Sequence, residues 1–136
     1  MVEHKEIVMP AFPRGFHLIT RLIEQELPEL PESGIITLFL RHTSAALTLN
    51  ENADPTVRQD FESFISRLVP EGEPYLRHVL EGPDDMPAHI KSSLFGTTLM
   101  IPICRGRLDL GTWQGIYLCE FREHGGRRRI TMSLIR

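Results

Sequence analysis

Short runs with apolar residues on both faces constrain this chain more than any other feature. Ile35-Ile36-Thr37-Leu38-Phe39-Leu40 and Ile116-Tyr117-Leu118-Cys119 place large side chains at odd and even positions alike. Successive side chains of a strand point to opposite faces, so such strands must be covered on both sides. Two packed sheets, or a sheet buried against a second subunit, would cover them. Ten glycines and ten prolines punctuate the chain into short pieces. Strands and helices are segregated, without regular βαβ alternation, which predicts an α+β fold.

The expected strands are Glu6 to Met9, Phe16 to Ile19, Ile35 to Leu40, His42 to Asn50, Thr97 to Ile103, Arg107 to Leu110, Gly115 to Phe121 and Arg128 to Ile135. Between the second and third, Thr20 can cap a short helix with Leu22, Ile23 and Leu27 inward, ended by Pro28 and Pro31. Asp54-Pro55 is a helix start, the aspartate as cap and the proline at the first helical position. Val57, Phe61, Phe64, Ile65 and Leu68 follow it at helical spacing. Met86-Pro87 opens a further helix that carries His89, Ile90, Lys91 and Leu94 and closes at Gly96.

A length of 136 residues predicts one domain, 1–136, that buries about two-thirds of its unfolded surface. A net charge of -3 argues against a protein that coats nucleic acid. No apolar run is long enough to span a bilayer, and no signal peptide is read. Cys104 and Cys119 form no Cys-x-x-Cys pair and read as reduced, mostly buried thiols of a cytoplasmic protein.

Three polar clusters exceed what a scaffold needs. The first is His42-Thr43-Ser44 with Asn50 to Asp54. His42 and Ser44 would share a strand face about 7 Å apart, which suits a pocket lining better than a nucleophile and its base. Asp54 is also explained by capping alone. The second cluster is His78, Glu81, Asp84, Asp85 and His89, which can bind a divalent metal or supply acid and base groups near neutral pH. A solvated acidic loop with capping aspartates is the plain alternative. Lys91 and Ser92 follow in the helix, a lysine suited to phosphate. The third cluster is Arg105-Gly106-Arg107 with Gly111-Thr112-Trp113-Gln114-Gly115. Its arginines could grip an anion and Trp113 could stack on a heterocycle or anchor the core. The run Arg127 to Arg129 reads as a turn and strand edge.

With these segments in view, the chain resembles the YjbQ family. The resemblance rests on Arg41-His42-Thr43-Ser44-Ala45-Ala46-Leu47, on Asn50-Glu51-Asn52-Ala53-Asp54-Pro55, and on His78 with Glu81 to Ser92. It extends to Gly106-Arg107-Leu108 and to Leu110 through Tyr117, as far as Glu120. It implies a two-sheet β-sandwich core with a few helices, a homotrimer, and a pocket near a subunit boundary. It also implies a weak, secondary thiamine-phosphate synthase, a transferase joining a hydroxymethylpyrimidine diphosphate to a thiazole phosphate with release of pyrophosphate. On that reading His42, Ser44, Glu51, Asp54, His78, Asp85 and His89 are the candidate catalytic residues. Asn52, Lys91, Ser92, Arg107, Thr112, Trp113 and Gln114 would bind the phosphorylated substrate, and His78, Asp85 and His89 would hold a divalent metal, Mg or Zn. A metal-dependent hydrolase and a non-catalytic metabolite binder are the alternatives.

Overall fold

Residues 1–136 are described by a computed structural model. In chain order the elements are β1 (Val2–Val8), β2 (Gly15–Leu18), α1 (Thr20–Glu26), β3 (Ser33–Leu40), β4 (Ala45–Glu51) and α2 (Pro55–Leu68). Then come α3 (Asp85–Phe95), β5 (Thr98–Cys104), β6 (Arg107–Leu108), β7 (Gln114–Glu120) and β8 (Arg129–Ile135). All strand pairs are antiparallel. They form a five-stranded sheet, β1-β8-β3-β5-β6, and a three-stranded sheet, β2-β7-β4. The α+β class and the two-sheet core are as the sequence predicts.

Of the two doubly apolar runs, β7 is covered on both faces within the chain and β3 on one only. In β7, Ile116 and Leu118 pack into the core between the sheets, with Leu38 of β3, Ile101 of β5 and Met132 of β8. Tyr117 and Cys119 point the other way, against Ile65 of α2 and Ala88 of α3. The order of layers is therefore five-stranded sheet, three-stranded sheet, then α2 and α3, while α1 packs Ile23 into the core between the sheets. Burial pushes the Cys119 thiol well above its ordinary pKa, which leaves it inert, whereas Cys104, expected to be buried too, is exposed at the end of β5. In β3, Ile36, Leu38 and Leu40 fill the core, but Phe39 on the opposite face is half-exposed. Register places Thr37 opposite Met100 and Ile35 opposite Ile135 on that outer face, and both Met100 and Ile135 are also exposed.

Four local expectations are corrected. The strand predicted from His42 begins only at Ala45, because His42 and Ser44 are engaged by Arg128 and Arg129 instead of a neighbouring strand. Thr20 is not the cap of α1; Ile19 is, and the Thr20 hydroxyl accepts the backbone N–H of Ile116 at 2.9 Å. Phe64 and Leu68 of α2 face outward, since only Ile65 of that helix is fully buried. The strand from Arg107 stops at Leu108, as the chain turns away toward the Gly111 turn. Asp54 caps α2, accepting the backbone N–H of Thr56 at 2.9 Å. No helix is long and apolar enough to cross a membrane.

Candidate functional site

Asp84 and Asp85 set the start of α3, and one turn later His89 falls on the face of Asp85. The preceding loop returns His78 to the same place. His78 Nε2 lies 2.6 Å and His89 Nε2 3.0 Å from Asp85 Oδ2. One ligand atom from each of the three fits within 4.8 Å. The other oxygen of Asp85 meets Arg122 Nη1 at 2.7 Å, while Arg122 Nε donates to Asp84 Oδ2 at 2.9 Å. Arg122 Nη2 also donates to the Glu81 carbonyl. Arg122 follows β7 and no local pattern in the sequence marks it.

The electrostatics follow from this geometry. Burial pulls the Asp85 carboxyl upward, but hydrogen bonding from His78, then from Glu81, and the charges of His89 and Arg122 outweigh it and hold the group below its ordinary range. Burial likewise raises Asp84, and the Glu123 N–H and Arg122 overcome it. The hydrogen bond to Asp84 raises Arg122 still further. The Asp85 carboxylate is thus ionised and faces two imidazoles.

His89 Nδ1 lies 2.8 Å from the carbonyl of Thr43, which can only accept. Neutral His89 therefore carries its proton on Nδ1 and turns a lone pair at Nε2 toward a carboxylate oxygen. That contact requires a cation or a second proton between them. A metal-binding histidine is commonly fixed in this way, with its far nitrogen bonded to a backbone carbonyl. Two imidazole nitrogens and one carboxylate oxygen with open positions suit zinc better than magnesium. The residues present fit a divalent cation.

His42 and Ser44 lie beside this cluster, on the loop that ends in Thr43's bond to His89. Arg128, at the turn and strand edge that the sequence predicts, is buried and pairs with buried Glu120, Nε to Oε1 at 2.8 Å. The Arg128 guanidinium also donates to the Ser44 carbonyl and hydroxyl oxygens. The Arg129 N–H donates to His42 Nε2 at 2.7 Å. Burial, then the charge of Arg128, pushes the His42 pKa below its ordinary value. His42, Thr43, His89, Ser92, Ser93, Gly96 and Thr97 enclose an open hollow of about 640 Å³.

The remaining candidates lie elsewhere or are already engaged. Glu51 accepts the backbone N–H groups of Ala53 and Asp54, and Asp54 serves α2. Asn52 donates to the carbonyls of Thr112 and Gln114, and the Gln114 side chain accepts the Gly111 N–H. These bonds build a turn that holds Trp113 out in solvent, 65% exposed, which excludes the core-anchor reading. Asn52, Thr112, Trp113 and Gln114 sit at the far end of β4 from Ser44, across a seven-residue strand about 20 Å long. Arg107 is exposed on the edge strand β6. Ser92 lines the hollow, but its hydroxyl donates to the Ala45 carbonyl at 2.7 Å. Lys91, read as a phosphate ligand, is 1% exposed and lies over the Phe121 ring, which removes it from any substrate. Burial, then Arg14, lowers its pKa.

The family described as UPF0047 protein YjbQ-like matches residues 5–136. The UPF0047 protein YjbQ of Escherichia coli O157:H7 is 53% identical over 132 residues, 96% of this chain and 95% of its own length. The UPF0047 protein YugU of Bacillus subtilis is 43% identical over 104 residues, 76% of each chain. A conserved hypothetical protein from Thermus thermophilus superposes with a TM-score of 0.83 at 39% identity, covering 97% of this chain and 99% of that one. None of these descriptions states an activity. The same fold, nearly the whole length and more than half of the residues are shared, and on that ground this chain belongs to the YjbQ (UPF0047) family.

Proposed function

We propose that this protein is a transferase acting on small phosphorylated substrates. Its reaction is that of a secondary thiamine-phosphate synthase, joining a hydroxymethylpyrimidine diphosphate to a thiazole phosphate and releasing pyrophosphate. The observation that carries this reading is the convergence of His78, Asp85 and His89 within 4.8 Å, beside a hollow with no apolar side chain. The thiazole nitrogen attacks a benzylic-type carbon as the diphosphate leaves, so the protein supplies no nucleophile. It must align two phosphorylated partners and stabilise the departing charge. His78, Asp85 and His89 would hold a divalent cation, which supplies positive charge where the diphosphate departs. Hydrogen bonding from His78, with the charge of Arg122 behind it, keeps Asp85 ionised, and Asp85 holds both imidazoles in place.

The same reading makes the protein a cytoplasmic homotrimer. The isolated chain exposes 8005 Å², about a tenth above the roughly 7,200 Å² that its mass predicts for a monomer. Phe39, Met100 and Ile135 leave an apolar face on the five-stranded sheet. Trp113 and Arg107, which no element carries to the cleft within one chain, would reach the cleft of a neighbour. Cys104 and Cys119 are unpaired, in keeping with a reducing compartment.

The test is growth of a thiamine-requiring strain that lacks its main synthase. The intact gene should restore growth and His89→Ala should not, at equal protein level; rescue by both overturns the assignment. The orientation of His89 by Thr43 favours a second reading, a metal-dependent hydrolase. Metal bound one per chain, lost in His78→Ala, together with phosphate ester hydrolysis and no coupling, would select it.

A further inference from the structure

We propose that the hollow between His42 and the C-terminal half of α3 binds a phosphoryl group, with His42 donating to it through Nδ1. The argument begins with the Arg129 N–H, which donates to His42 Nε2. A ring nitrogen that accepts a hydrogen bond carries no proton, so neutral His42 holds its proton on Nδ1. That is the nitrogen left without a partner in the chain. Thr43, Ser93 and Thr97 bring hydroxyl groups to the same hollow, and His89 closes it toward Asp85. No carboxylate and no apolar side chain lines it.

Charge points the same way. Arg41 and Arg129 share one carboxylate, Glu6, which leaves a positive charge in surplus beside His42. The C-terminal end of α3 opposes this weakly, but its Ser92 carbonyl is already bonded to the Gly96 N–H. One fixed N–H donor, three hydroxyls and surplus positive charge match a tetrahedral dianion. The hollow's volume leaves room for the rest of a small metabolite. The site takes over the phosphate grip that buried Lys91 cannot provide.

The inference rests on the reading of the His78–Asp85–His89 cleft as the place where a phosphorylated substrate reacts, yet its readout is binding. Long-range proton–nitrogen NMR at pH 7 should show His42 protonated on Nδ1. Inorganic phosphate and pyrophosphate should each shift that signal saturably. Tighter binding of pyrophosphate assigns the group to a diphosphate, and the reverse order to a monoester. Thr97→Val, which keeps the shape and removes one hydroxyl, should weaken binding about tenfold. His42 protonated on Nε2, or no saturable shift with either anion, overturns the proposal. A protein that binds phosphate at His42 yet forms no thiamine phosphate keeps the site and discards the reaction. A protein that forms thiamine phosphate with His42 unmoved by either anion keeps the reaction and discards the site.

Discussion

At the residue scale, two aspartates do different work from adjacent positions. Asp84 anchors Arg122 and the Glu123 N–H, while Asp85 faces two histidines. Both carboxyls are held below their ordinary range, so the unfolded chain binds protons first as pH falls. The stability they add is complete above about pH 4 and is lost as pH drops through their folded values. His42 has the same sign in a higher window: its contribution is full above about pH 6.5 and declines below it. Thermal melts from pH 7 to pH 3 should fall in both windows, and Asp84→Asn should flatten the acid limb. Lys91 is the opposite kind of residue, a lysine 1% exposed whose amine lies over the Phe121 ring. Lys91→Met should raise stability by about 1–2 kcal/mol in denaturant unfolding, because an apolar side chain needs no hydration there. Nothing in the sequence separates this buried lysine from a surface one. Its helical position is legible, but which face of the helix meets Phe121 is decided by packing.

At the scale of elements, caps and strand patterns were legible and long-range ion pairs were not. Asp54-Pro55 announces α2, and Asp54→Ala should lower the melting temperature by removing the cap on the Thr56 N–H. The period-two pattern of β7 correctly demands two covered faces. The pairing of Arg128 with Glu120 left no such trace, since the two meet only where the end of β7 lies beside the residue that precedes β8. The loop between those strands packs tightly on the pair. A Cβ at Gly125 would collide with both carboxylate oxygens of Glu120. Gly125→Ala should therefore force Glu120 off Arg128 and cost about 3–5 kcal/mol, the loss expected when a buried pair is broken. Ser44 and the loop to His42 would loosen with it. The His78–Asp85–His89 group was legible because one helical turn joins two of its members, whereas Arg122 came from a separate loop.

At the scale of the whole molecule, β4 divides the predicted site. Its start carries the His42–Ser44 loop toward His89, and its end carries Asn52 toward the Trp113 turn. The sequence could group these clusters but not measure the strand between them. Assembly is the only way that Trp113 of one copy could approach the cleft of another. Sedimentation should give a particle of three 15.6 kDa chains, and Phe39→Asp with Met100→Glu should dissociate it into folded monomers. A wild-type monomer would confine Trp113 to the surface.

Chemistry at His78, Asp85 and His89 is read out by the rate of pyrophosphate release from the purified protein, given the pyrimidine diphosphate and the thiazole phosphate. The wild type should turn over, and His89→Ala that still folds and assembles should lose at least about 100-fold. Equal rates for the two proteins would contradict chemistry at that site.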